Sequence, residues 1–348
     1  MKILSSTFRN GDRTAVKKAV RIALFIILIG ILGNILFSLL TTDRSILASL
    51  KAFRPQYLVL AMSLALLPWF TNTWRVLIWT RFLGFRFSFW QIFKIVISTD
   101  LGSAVSPTAV GGGYVKAGML MQHGLSAGAS ASLMALGSVE DGLFFLLAIP
   151  ASIFISHCWN MPEVQLVFDK FQQNILIVAI AVFAIGAFVF LYRFFRNRKS
   201  TSERPKQNLL YKIKQSISQA WTDFLEVYKL IGKQGKSRFL LTMLLTSLQW
   251  SARYSILTAM LMSFNIKVDP ILFFLFQWIT FTLMTFIPTP GAVAGAETTF
   301  YFVYTHFIPK DVLGFMTSGW RFMTFYFHIV IAVLILGLYL LNDMRKSV

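Results

Sequence analysis

Six apolar runs of bilayer-crossing length, at about 18–40, 57–80, 126–155, 171–195, 239–264 and 312–341, leave this chain few architectures to choose from. A spanning helix needs about 20 apolar residues. Inside hydrocarbon every backbone N–H and C=O needs a partner within the protein, so runs of this length form helices. The expected fold is an all-α polytopic membrane protein, with residues 1–348 forming a single transmembrane domain. Composition agrees: 56% of residues are hydrophobic and 14% are charged. The net charge of +19 does not point to nucleic acid. Most basic residues sit between the apolar runs, as positive-inside topology requires, and no nucleic-acid-binding pattern accompanies them. The single Cys158 excludes an intramolecular disulfide, and four His without ligand spacing suggest no metal and no cofactor. The run at 20–40 is too long for a signal-peptide core and lacks a clear small-residue cleavage site, so it reads as an uncleaved anchor.

Two further segments, 90–124 and 271–308, are apolar but interrupted. If each dips into the membrane and returns to its own side, 23 Lys/Arg lie inside and six outside. A complete crossing by either would move the large basic loop or the tail and weaken that asymmetry. The expected map is about six full spans plus two re-entrant helical hairpins. Both termini are cytoplasmic, in the plasma membrane (the inner membrane of a Gram-negative cell). Residues 1–155 hold the first repeat, with its hairpin at 90–124, and 239–348 the second, with its hairpin at 271–308. Between them 193–238 is a basic cytoplasmic loop, with twelve Lys/Arg against Glu203, Asp223 and Glu226. Its apolar positions Leu210, Ile213, Ile217, Trp221, Phe224, Tyr228 and Ile231 recur at steps of three and four, one face of an amphipathic helix. That helix lies on the anionic inner leaflet or packs under the bundle as a strut.

Each hairpin is broken by proline and glycine. The second contains Pro288-Thr289-Pro290-Gly291-Ala292-Val293-Ala294-Gly295-Ala296-Glu297, and the first Pro107-Thr108-Ala109-Val110-Gly111-Gly112-Gly113-Tyr114-Val115-Lys116. Both begin Pro-Thr, and both end nine residues later in an ionisable side chain of opposite sign. One hairpin enters from inside and the other from outside. That is the inverted-repeat pattern of transporters, whose sites form at the midplane from interrupted helices. Short helices are expected to restart near Tyr114 and Ala296. Their free N–H groups and dipoles favour an anion, and glycine lets backbone approach it closely. The candidate substrate-binding residues are Gly111, Gly112, Gly113, Lys116, Gly291, Gly295, Glu297 and Arg321. The competing reading of Gly111 to Gly113 is tight helix crossing.

Arg321 lies ten residues into the last run, and either pairs with Glu297 or contacts a substrate phosphate. Glu140, Asp141 and Arg253 are candidates for a charge relay, against a simple Asp141–Arg253 pair. Asp100 is expected to cap a helix beginning at Leu101, Arg75 to snorkel to the interface, and His328 to be a hydrogen-bonded core residue. Gln249, Trp250 and Arg253 share one side of their span. No paired carboxylates with a nucleophile and no phosphate-binding lysine loop are present, so no enzymatic activity is expected.

Three blocks carry a resemblance: Ser106 to Gly113 with His123-Gly124-Leu125, then Pro288-Thr289-Pro290-Gly291…Gly295-Ala296-Glu297, then Trp320-Arg321…Thr324-Phe325-Tyr326. In order and spacing the chain resembles, over about 18–340, the flippase-like membrane family named after the lysylphosphatidylglycerol synthase transmembrane region. It departs from that family at Ala292-Val293-Ala294, where glycine is more usual, and at Gly113-Tyr114, where a longer polar residue often follows the glycine pair. The resemblance implies a polytopic plasma-membrane protein that moves phospholipids or lipid-linked headgroups between leaflets. The soluble aminoacyl-transferase domain of the synthases is absent, so synthesis of the lysyl-lipid is not expected.

The leading expectation is a lipid translocator acting on a phospholipid or lipid-linked anionic headgroup. Lys116 and Arg321 hold the anion, the breaks supply N–H donors, and Glu297 balances charge or carries a proton. The alternatives are a transporter of a small soluble anion or ion, and a non-transporting lipid-binding accessory of a membrane glycosyltransferase. Membrane lipids are the expected partners, not nucleic acid, with homo-oligomerisation left open.

Overall fold

The computed structural model describes residues 32, 53–106, 111–161, 222, 225–226, 229–285 and 295–346. The run at 171–195, nearly all of the first span and of the amphipathic stretch, and both Pro-Gly links, Gly291 included, lie outside these residues. The described elements are all helical. They are α1 (Pro55–Phe82), α2 (Phe89–Val105), α3 (Gly111–Gln122), α4 (Ala127–Ser156), a 3-10 turn (Cys158–Asn160), α5 (Lys236–Ser263), α6 (Pro270–Thr285), α7 (Gly295–Tyr304), α8 (Lys310–Arg321), a π turn (Phe322–Tyr326) and α9 (Phe327–Lys346).

Local chemistry explains where these helices begin and end. Ser88 opens α2 with a capping box: its hydroxyl accepts from the Gln91 N–H while the Gln91 side chain accepts from the Ser88 N–H. The Asp269 carboxylate does the same work for α6, accepting from the N–H groups of Ile271 and Leu272 at 2.8 and 3.3 Å. Three helices close in the same left-handed turn. After α1 the Phe85 N–H donates back to Thr80 O and the Gly84 N–H to Arg81 O, with Gly84 at φ +86°. After α3 the Leu125 and Gly124 N–H groups repeat the pattern onto Leu120 and Met121, with Gly124 at φ +99°. After α5 the turn residue is Asn265 at φ 59°. A residue in this region caps the last carbonyls, and glycine or asparagine enters it at least cost.

The sequence places a cap at Asp100, and here the structure corrects it. Asp100 lies inside α2, five residues before its end, and accepts a 2.6 Å hydrogen bond from the Trp69 indole N–H. The capping work is done at Ser88, whose hydroxyl sits at the true start of the helix. The chain is already helical at Gly111, three residues before Tyr114, and at Gly295, beside Ala296 as expected.

The first two helices of each half recur along the chain at a constant separation. Both α1 and α5 have 28 residues, and α2 and α6 have 17 and 16. Lys236 follows Pro55, Asn265 follows Gly84, Asp269 follows Ser88 and Pro270 follows Phe89 by the same interval (265 − 84 = 181). In each half a long helix leads through a six-residue link to a shorter pair of helices, then to another long helical run. The two leading helices cross antiparallel. The Arg54 N–H donates to Ser263 O at one end, while the Trp79 ring lies beside Gly235 at the other.

Two apolar cores form, each drawing mainly on one half, with Ala332 joining the first and Ala61 and Ala65 the second. One gathers Trp69, Ile92, Ile95, Leu133 and Leu136, the other Leu257, Phe273, Phe300, Met316 and Trp320. The outer surface is apolar as well: Leu146, Leu147 and Phe154 on α4, Leu240 and Leu244 on α5, and Phe302 on α7 are all exposed. The helical runs Ala127–Ser156 and Lys310–Tyr339 are long and apolar enough to cross a bilayer, and the protein buries only 17% and 28% of their most apolar windows. A soluble protein would hide such helices in its core, so these faces have lipid as their solvent.

Candidate functional site

Arg75 gathers the polar groups of the first half. It comes from α1 and is 4% exposed, against 1% for Glu140 on α4. A guanidinium has five N–H donors, and here five bonds are made. Nε donates to Glu140 Oε2 at 3.0 Å, Nη2 to the same oxygen at 2.8 Å and to Gly137 O at 3.1 Å. Nη1 donates to Asp141 Oδ1 at 3.1 Å and to Gln249 Oε1 at 3.3 Å. Glu140 is equally well satisfied, because its other oxygen accepts from the Trp79 indole at 2.9 Å and from the Thr242 hydroxyl. Removing two charges from water is expensive, and only this completeness of bonding offsets it. Arg75 therefore does not snorkel to the interface: it joins α1, α4 and α5 from within.

The same network overturns the Asp141–Arg253 pair. Asp141 pairs with Arg75, and it also accepts a 3.0 Å bond from the Trp250 indole. Arg253 instead lies over the rings of Trp250 and Phe281, at 5.6 and 5.3 Å from their centres, where cation–π attraction replaces a carboxylate. Gln249, Trp250 and Arg253 do gather in one place, around Asp141. Glu140 is saturated, whereas Asp141 Oδ2 accepts no hydrogen bond among the described residues and the side chain is 31% exposed. Lys116 on α3 is half-buried and within electrostatic reach of Arg75, Asp141, Asp100 and Glu140, yet makes no hydrogen bond or ion pair among the described residues.

In the second half Glu297 and Arg321 come together. Glu297 is in the first turn of α7, where the helix dipole favours a carboxylate. Its Oε1 lies 3.5 Å from Arg321 Nε, while Oε2 is buried with no hydrogen-bond partner. The Arg321 guanidinium packs 4.2 Å over the Phe325 ring. It stands immediately before the π turn, a wide turn often found at functional sites. Trp320 next to it donates to Gln277 Oε1 at 2.9 Å, and Gln277 donates to the Tyr304 hydroxyl at 2.6 Å, so α6, α7 and α8 are locked together behind the pair. His328 is the hydrogen-bonded core residue expected, with Nε2 2.7 Å from Ala65 O.

The candidate glycines divide. A Cβ on Gly112 would come within 2.0 Å of Ser103 Oγ and 2.5 Å of Thr99 O, and one on Gly111 within 2.7 Å of Gly102 O. The Gly111 N–H already donates to Ser106 Oγ at 3.0 Å. These two glycines let α2 and α3 touch. Gly113 faces Met134, and Gly295 begins α7. No described hydrogen bond or ion pair joins Lys116 to Glu297 or to Arg321. Among the described residues no group of His, Cys, Asp and Glu is placed to hold a metal. A separate cleft of about 440 Å³ at the α1–α2 turn is lined by Arg81, Gly84, Phe85, Arg86 and Phe87.

The residue that sequence reasoning missed is Arg75. An arginine well inside an apolar run, with Trp79 one turn later, was the available signal; its acidic partners lie 65 and 66 positions away.

The comparisons with known proteins agree with this architecture. A UPF0104 membrane protein from Archaeoglobus fulgidus is 24% identical over 288 residues, covering 78% of this chain and 83% of the relative. The family described as the lysylphosphatidylglycerol synthase TM region matches residues 19–332, nearly the whole helical assembly. With apolar helices facing outward and charged clusters enclosed between them, this chain is a membrane protein that belongs to the lysylphosphatidylglycerol synthase TM region family.

Proposed function

We propose that this protein moves a phospholipid or lipid-linked anionic headgroup between membrane leaflets, without catalysing a covalent reaction. The observation that carries the reading is Lys116. It is a cation without a described hydrogen-bond or ion-pair partner, inside an apolar helical assembly, on the short helix that restarts after a Pro-Gly break. Ionisable side chains at membrane depth are costly and mark substrate paths. The antiparallel crossing of α1 and α5, and the recurrence of the elements behind them, support two inverted halves with re-entrant hairpins α2–α3 and α6–α7. At 12 and 10 residues, α3 and α7 are too short to cross a bilayer alone. About six full spans, cytoplasmic termini and a plasma-membrane location complete the proposal. The family's name, which refers to a lipid synthase, supports a lipid as substrate.

The test is reconstitution of the full chain into vesicles carrying a fluorescent phosphatidylglycerol in one leaflet, with its movement followed by quenching. Movement that depends on the protein and falls with Lys116→Gln supports the proposal. Movement unchanged by Lys116→Gln, or flux of a soluble anion with no lipid movement, would end it.

A further inference from the structure

The Glu297–Arg321 pair has a counterpart in the first half with its charges exchanged. The interval that relates α1 to α5, α2 to α6 and the two Pro-Thr pairs (288 − 107 = 181) carries Lys116 onto Glu297 and Glu140 onto Arg321, while α3 and α7 begin 184 residues apart. In each half the first residue lies on the hairpin's second helix, α3 or α7, and the second on the long helical run that follows. The order is cation then anion in the first half, and anion then cation in the second. In the second half the two residues meet. In the first half they do not. Both oxygens of Glu140 are occupied by Arg75, Trp79 and Thr242, although Lys116 lies within electrostatic reach.

We infer that Lys116 is the residue that receives a phosphate-ester anion, because Arg75 has taken the carboxylate that its position in the repeat would otherwise pair with it. Arg321, held by Glu297, is the paired counterpart and not a second anion holder. The inference rests on the anionic-headgroup reading above and narrows it to one cation. It also gives Glu140 a role: two cations compete for it, and whichever loses is free to meet the anion. Pairing of Lys116 with Glu140 would expel the anion, and return of Arg75 to Glu140 would reopen the site.

The test uses the full chain purified in detergent. Calorimetry measures binding of dihexanoyl phosphatidylglycerol, glycerol phosphate and dihexanoyl phosphatidylcholine, and thermal unfolding is measured alongside. Lys116→Gln should weaken phosphatidylglycerol binding about tenfold or more, some 1.4 kcal/mol, and leave the melting temperature unchanged. Glu297→Gln should lower the melting temperature. Arg75→Gln should weaken binding as Lys116 closes on Glu140, and the Arg75→Gln, Glu140→Gln double variant should recover it. Glycerol phosphate binding lost in Lys116→Gln upholds the assignment with a soluble anion as source, whereas loss for phosphatidylglycerol alone upholds it with a lipid. The assignment is overturned if Lys116→Gln leaves binding intact, if it lowers the melting temperature as Glu297→Gln does, or if the unaltered chain binds neither anion. Because binding is read without transport, a chain that binds but does not move lipid sinks the translocator proposal and leaves Lys116 assigned.

Discussion

Arg75 grips one oxygen of Glu140 with two nitrogens, Nε at 3.0 Å and Nη2 at 2.8 Å, from a helix 65 positions earlier in the chain. The grip closes α1 onto α4, and Thr242 brings α5 to the same carboxylate. Breaking a buried pair leaves an uncompensated charge, which typically costs about 3–5 kcal/mol. Arg75→Ala should therefore lower the thermal unfolding temperature of the purified protein sharply. Arg75→Lys should restore only part of it, since an ammonium has three donors and no planar fork. Equal stability of Arg75→Lys and the unaltered protein would show that charge alone matters there.

The Trp69 indole reaches Asp100 at 2.6 Å. Trp69→Phe removes the donor, keeps most of the ring, and should cost about 1 kcal/mol. Trp69→Phe in an Asp100→Asn background should cost less than in the native one. A double-mutant cycle of unfolding free energies reads the coupling, and additive losses would count against a direct bond.

Close packing of α2 on α3 can be tested with two alanines. At Gly112 an added Cβ meets the Thr99 carbonyl at 2.5 Å, backbone that cannot swing aside, so Gly112→Ala should be destabilising. At Gly118 nothing lies within 4 Å, and alanine there should stabilise the helix by up to about 1 kcal/mol. Opposite signs in the two melting temperatures are the expected result.

Leu147 points outward from the middle of α4 and is 68% exposed. If lipid surrounds it, Leu147→Lys adds about 2.5–3.5 kcal/mol to insertion. The fraction of protein retained in carbonate-washed membranes should fall. Lysine at Glu226, an exposed residue of the basic loop, should leave that fraction unchanged.

Much of the scaffold was legible because it depends on local chemistry. Ser126 caps α4 where the apolar run begins, and Gly84 and Gly124 stand where helices must turn. The helix α2 stops at Val105, short of the proline at 107 that breaks the pattern. The pairing of Glu297 with Arg321 was one of two alternatives open from the sequence, and the pair forms. What could not be read was partnership at a distance. Asp141 had a basic residue on a neighbouring span in either Arg75 or Arg253, and apolar periodicity does not rank them. The choice follows from the crossing of α1 and α5, which puts Arg75 beside Gln249 and turns Arg253 toward Trp250 and Phe281. The π turn was equally hidden, because its residues are as apolar as those of the helices on either side.

That wide turn sets the rotational phase of everything after it. A π turn holds about one residue more than an α turn, and each residue of a helix advances it by about 100°. Deleting one residue from Phe322–Tyr326 would regularise the coil and spin α9 by that angle, carrying His328 off the Ala65 carbonyl it now touches. The extra residue is thus the shim that lets the run leaving α8 at Arg321 arrive at α1 with the imidazole facing inward.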